Sequence, residues 1–367
     1  MRSYTVMRTK ILVMDKSRTK EQWLGIPGIE RTKNGRLLVV WFSGGDKEPS
    51  ADNRIYLQTS DSDGASFSDP YVVVEKPGNI RVYDPTLWVD PDETLWLIYN
   101  QSNRDTADHR VCAIRCAHPD ANELKWGEEQ TIGFEVQSFR LNKPTVLQNG
   151  AWIMPVTWYP EAVHDWFNLG AELQGAGISV DQGKTWNLYG EVQAPHWALE
   201  NMFLEREDGT VVMYIRAGGG TISQSLSKDH GRTWSASEAT AIVNPGSRFF
   251  IRKMPGGKWL LINTPVADQR KGLFAYLSGD EGRTWSKGLL LDERANVSYP
   301  DATITETGTV YAVYDRERHG AMEVLMTVFT ENDILQMNEN GEDTTALLSN
   351  GLNQTGVSGQ SLIAETI

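Results

Sequence analysis

Three times this chain spells the same eight-residue turn, Ser-x-Asp-x-Gly-x-Thr-Trp: at residues 179–186 (SVDQGKTW), 227–234 (SKDHGRTW) and 278–285 (SGDEGRTW). Each copy couples an Asp able to hydrogen-bond its own turn, a Gly suited to positive φ and an aromatic that can plug a neighbouring layer. A fourth copy at 60–67 (SDSDGASF) carries Ser62 where the others carry Asp. Short apolar runs precede these turns, opening after Gly35 (RLLVVWF), Glu93 (TLWLIY), Gly150 (AWIMPVTW), Gly209 (TVVMYI), Gly257 (KWLLI) and Gly308 (TVYAVY). Their β-branched and aromatic content reads as strand. The six anchors lie 48 to 59 residues apart, the length of one propeller blade. The repeat therefore predicts an all-β chain, a six-bladed β-propeller of four-stranded antiparallel blades.

A helical reading fails because 33 Gly and 15 Pro break the chain too often and the apolar residues alternate or cluster. The expected organisation is a propeller over residues 1–335, then a closing segment and C-terminal tail over 336–367. A strand near residues 5–13 is expected to complete the last blade, since a ring closed by both chain ends leaves no open seam. The net charge of −13 argues against a nucleic-acid partner, which needs a cationic surface. A local arginine cluster can still bind a small anion. No apolar stretch is long enough to span a membrane, and no secretory signal is visible, which gives a cytoplasmic expectation. Cys112 and Cys116 lie four apart on a strand, roughly 13 Å between Cα atoms, too far for a disulfide, which needs less than about 7 Å. They are expected as free thiols. His109, His118 and these cysteines lack metal-ligand spacing, so neither metal nor cofactor is expected.

The Asp-box turns, the six blades and several strand motifs resemble the sialidase (neuraminidase) superfamily over about residues 20–335. The resemblance implies a catalytic Glu at Glu200, nine residues before Gly209, on a strand pair whose second strand ends in a substrate-binding Arg216. It implies a second binding arginine at Arg270, a nucleophilic tyrosine at Tyr299 in Ser298-Tyr299-Pro300-Asp301, and a substrate-contacting Asp84 in Asp84-Pro85-Thr86. One departure stands out. The family opens its first blade with Arg-Ile-Pro, the first of three arginines that hold a substrate carboxylate, but here the sequence is Gly25-Ile26-Pro27. Asp315 falls near the family's Glu that orients the missing arginine. Losing a bidentate Arg–carboxylate contact weakens or redirects anion binding.

In a site of this type the neutral phenol of Tyr299, passing its proton to Glu200, attacks without the repulsion that a carboxylate nucleophile would meet from an acidic substrate. Such enzymes stand outside the paired-carboxylate scheme. The general acid is expected on the loop at 43–54, with Asp52 preferred and Asp46 in reserve, and Arg54 there can supply the charge that Gly25 lacks. Arg216 ends an apolar strand, where a charge must be paired or face a polar channel. His196 and Trp197 can shape a sugar subsite. Trp158, Tyr159, His164 and Trp166 can roof the channel, and one of Arg248 and Arg252 can face it. These residues imply a retaining exo-glycosidase that removes a terminal acidic sugar, with a glycan as partner. Two alternatives stay open: a glycosidase or lyase acting on uronic-acid glycans, and a non-catalytic glycan-binding propeller.

Overall fold

The computed structural model describes residues 7–13, 22–103, 108–134, 136–139, 142–161 and 170–340. Six antiparallel sheets follow one another in chain order, each running from an innermost to an outermost strand. The innermost strands are Leu24–Arg31, Ile80–Val89, Gln137–Phe139, Ala198–Glu205, Phe250–Lys253 and Val297–Ile304. They lead blades one to six. Blades have four strands, apart from blade three, where the short strand Thr145–Val146 adds a fifth. Blade six takes its outermost strand, Met7–Val13, from the chain's beginning, paired antiparallel with Glu323–Thr330. The ring is thereby closed, and no blade of it presents a seam. A helix at Glu331–Asn340 follows blade six, crossing the expected boundary at 335.

The Asp-box turns interlock the blades. In the blade-three copy, Asp181 Oδ1 accepts from Thr185 N at 2.9 Å and Oδ2 from the Thr185 hydroxyl at 2.7 Å, while Ser179 Oγ accepts from Gly183 N at 2.8 Å. The copies at Asp229 and Asp280 repeat this pattern, and Ser62 reproduces part of it with its hydroxyl, which accepts from Ser66 N at 2.9 Å. Each turn glycine is pressed against the preceding blade. A Cβ on Gly183 would meet Trp96 at 2.7 Å, one on Gly231 would meet Ile153 at 2.8 Å, one on Gly282 would meet the Tyr214 hydroxyl at 2.2 Å, and one on Gly64 would meet Met326 at 2.4 Å. Glycine is thus required both for positive φ and for close approach.

The hub is polar. Residues 142–144, between the strands Gln137–Phe139 and Thr145–Val146 of blade three, reach the axis, where buried Lys143 donates to the Ile29 carbonyl at 2.7 Å and the Ala302 carbonyl at 3.1 Å. It pairs with Asp301 at 3.0 Å and Glu30 at 3.6 Å. Asn142 donates to the Asn201 carbonyl at 3.0 Å. One short segment therefore ties blades one, four and six, and its buried Asn142 amide and Lys143 ammonium both have acceptors.

Candidate active site

Four innermost strands carry the same irregularity. Their pairing with the next strand slips between Gly25 and Gly28, Tyr83 and Thr86, Leu199 and Asn201, and Ser298 and Asp301. One residue in each slip adopts left-handed φ: Ile26 at 55°, Asp84 at 48°, Glu200 at 54° and Tyr299 at 55°. These are β-bulges, which re-aim a side chain. Three are followed by Pro27, Pro85 and Pro300, and a bulge is where a strand tolerates a residue without an N–H. Non-glycine residues in this region are uncommon and cluster at functional sites.

The aimed side chains converge. Arg216, paired opposite Leu199 just before the blade-four bulge, donates from Nη1 to Glu200 Oε2 at 2.6 Å and to the Tyr299 hydroxyl at 2.7 Å. Its Nε donates to the Gly246 carbonyl at 2.7 Å. Arg248 donates from Nη2 to Glu200 Oε1 at 3.1 Å and approaches Asp84 Oδ1 at 3.5 Å. Four guanidinium carbons surround the Tyr299 ring, at 4.0 Å for Arg318, 4.7 Å for Arg248, 5.1 Å for Arg270 and 5.5 Å for Arg216. Asp315 is fully buried and accepts three bonds, from Ile26 N at 2.9 Å, Ser298 Oγ at 2.6 Å and Arg318 Nε at 2.9 Å.

The electrostatics follow from this crowding. Burial would raise the Glu200 carboxyl, but Arg216 and Arg248 overcome it and hold the group at about 2. Burial works against the charge on Arg216, and Glu200 more than restores it, so its pKa rises. Glu48 moves the other way. Burial pushes its carboxyl up to about 7 against the pull of Arg318, with Asp84 and Asp315 adding to the rise and Arg270 opposing it. Glu48 Oε1 accepts from Arg318 Nη1 at 2.6 Å.

Glu200, Tyr299, Arg216, Arg270, Asp84, Arg248 and Asp315 are thus brought together, while several other expected positions are not. Asp46 and Asp52 are exposed, and neither bonds to a residue of this cluster among the described contacts; their loop turns Glu48 inward instead. Arg54 points outward, half exposed and paired with Glu75 at 2.9 Å, so it does not replace the guanidinium missing at Gly25. Arg252 donates to the Pro144 carbonyl at the hub. Trp197 lies beneath Arg216, 5.3 Å from its guanidinium, and His196 is exposed beside Gly219. Trp158 donates to the Gly190 carbonyl and Tyr159 is buried edge-on to Phe139, so both are packing residues and not a roof. His164 and Trp166 lie outside the described residues.

Sequence reasoning missed Glu48 and Arg318. Glu48 shares its loop with two other carboxylates, and only the folded loop distinguishes them. Arg318 lies in the turn after the strand Thr309–Arg316, and Gly25 was the one signal that could have pointed to it.

Ring, Asp-boxes and a hub-facing cluster of Glu, Tyr and Arg define a sialidase-like BNR-repeat propeller. The chain belongs to the BNR repeat-like domain family, whose profile matches residues 35–312. Compared with curated proteins, the chain has no match. Among solved structures it is similar to a Hadza microbial sialidase, at 19% identity and a TM-score of 0.70, over 85% of this chain and 66% of that one. It thus spans just under two thirds of that relative. It is also similar to the NanB sialidase of Streptococcus pneumoniae, at 13% identity and a TM-score of 0.67 over 86% of this chain and 70% of that one. A third is the intramolecular trans-sialidase of Ruminococcus gnavus, at 14% identity and a TM-score of 0.67 over 88% and 98% of the respective chains. At these identities the likeness speaks for the fold.

Proposed function

We propose that this protein is a retaining exo-glycosidase that removes a terminal acidic sugar, sialic acid or a related acid, from a glycan. The observation that carries the reading is Arg216 Nη1, which bonds both Glu200 and the Tyr299 hydroxyl inside a ring of four guanidinium groups. Once Glu48 is released from Arg318 and protonated, the carboxylates of Glu200, Asp84 and Asp315 balance three of the four guanidinium groups and leave one positive charge over. A substrate carboxylate neutralises it.

The chemistry is a double displacement. The Tyr299 oxygen bonds to the anomeric carbon, the phenol proton passes to Glu200, and the glycosidic bond breaks as Glu48 protonates the leaving oxygen. Glu48 then takes a proton from water, whose oxygen displaces Tyr299 with net retention, and Glu200 returns the phenol proton. A carboxyl held at about 2 is a weak base, so the Arg216 bond must carry much of the charge that develops on the phenol oxygen. Glu48, at about 7, has the matching property of an acid that keeps its proton near neutrality.

The test is a panel of aryl glycosides of acidic sugars, assayed with wild type and Tyr299→Phe. Release from a sialoside by wild type alone supports the reading. Turnover of a uronic acid glycoside alone moves the substrate to the second class, and no turnover of any acidic glycoside refutes the enzyme assignment.

A further inference from the structure

Gly25 and Arg318 occupy each other's space. A Cβ on Gly25 would lie 3.0 Å from Arg318 Cδ and Nε and 3.1 Å from Asp315 Oδ2, closer than side chains normally pack. The Arg318 backbone is docked at the same place, its carbonyl accepting from Leu24 N at 3.0 Å. The guanidinium so admitted donates through Nε to Asp315 and through Nη1 to Glu48, and its Nη2 is buried with no carboxylate partner, the Tyr299 side chain lying within reach of the group. Its carbon stands 4.0 Å from the Tyr299 ring and 6.0 Å from the Trp23 ring.

Resting on the reading above, we propose that Arg318 is the principal receptor for the substrate's carboxylate, entering from blade six through the notch that Gly25 leaves in blade one. Asp315 fixes Nε, so the Nη1–Nη2 edge is held ready for a planar, bidentate anion. Half of that edge is occupied by Glu48 in the free protein. An incoming carboxylate takes Nη1, releases Glu48 from its ion pair and favours its protonated form beside the sugar. Substrate binding itself thereby arms the proton donor. No exogenous reactant is needed, since the proton comes from solvent.

The test is equilibrium binding of N-acetylneuraminate and glucuronate, each against its methyl ester, followed by the fluorescence of Trp23 and Trp197. Wild type should prefer at least one acid over its ester by about 10- to 100-fold, the worth of a charged hydrogen-bond pair. Arg318→Met should abolish that preference, and adding Gly25→Arg to Arg318→Met should restore much of it from the other strand. Gly25→Ala retains every charge but crowds Arg318, and should weaken acid binding while the ester is unaffected. The proposal is overturned if wild type binds neither acid, if Arg318→Met keeps the preference, or if Gly25→Ala leaves acid binding unchanged. Arg318-dependent acid binding without turnover of any glycoside would leave this inference standing and remove the catalytic one.

Discussion

Replacing Glu48 by Gln tests the assignment of the proton donor through two independent readouts. Its carboxyl is raised from 4.5 to about 7 in the folded protein, and each unit corresponds to about 1.4 kcal/mol. The side chain keeps 24% exposure, so solvent trims the cost of ionising it in place to about 2–3 kcal/mol. The sign is set by proton uptake: between pH 4.5 and about 7 the folded state holds the proton that the unfolded state has lost, so stability falls as pH rises through this window. The groups facing Glu48 are Arg318, Asp84, Asp315 and Arg270. The amide cannot ionise, so Glu48→Gln should be more stable than wild type by that amount at pH 8 and differ little at pH 4.5, measured by denaturant unfolding at both pH values. Glycoside turnover should lose its alkaline limb near pH 7 and fall about 10²- to 10⁴-fold for a poor leaving group. An activated phenol leaving group, which needs no proton, should lose much less. A stability difference independent of pH, or equal losses for both leaving groups, would refute the assignment.

Tyr299→Phe removes the attacking oxygen but keeps the ring among its arginines, so turnover should fall by at least about 10³-fold while acid binding changes little; single-turnover kinetics and titration separate the two. Lys143→Met leaves Asp301 and Glu30 buried at the hub without their cation, which should cost about 3–5 kcal/mol in denaturant unfolding. Asp181 and Asp280 are each held at about 2, chiefly by hydrogen bonds from Thr185 and Thr284. Their folded pKa is depressed, so their stabilisation is present above the unfolded value of 3.8 and lost as pH falls toward 2; Asp181→Asn and Asp280→Asn together should flatten the acid limb of a melting-temperature profile.

The ring was legible because its determinants are local. Ser179, Asp181, Gly183 and Thr185 satisfy one another within a single turn, and any sequence that repeats the turn at blade spacing repeats the geometry. Glu200, Arg216 and Tyr299 could be read from motif position because each is fixed by the register of its own blade. Glu48, Arg318 and Lys143 could not. Glu48 is selected from three carboxylates of one loop by a guanidinium 270 positions away, and Arg318 by a void 293 positions distant from it in sequence (residue 318 against residue 25). Lys143 answers to carbonyls of blades one and six. For Trp197, expected to shape a sugar subsite, the fold adds a contact that position in the sequence does not show: one face of the ring lies under the Arg216 guanidinium.

The four bulges explain how near-symmetric blades yield an asymmetric site. Each inner strand of blades one, two, four and six presents one left-handed residue toward the axis, so the repeat supplies position and the residue type supplies chemistry. Asp84, Glu200 and Tyr299 fill three of these positions with an acid, a second acid and a phenol. The fourth holds Ile26, whose contribution is its backbone: the left-handed turn aims Ile26 N at Asp315, which in turn holds Arg318. Isolated, any of these buried charges would be costly. Together they form a network in which each carboxylate has a guanidinium partner, and that arrangement lets a chain of net charge −13 gather four arginines around one phenol ring.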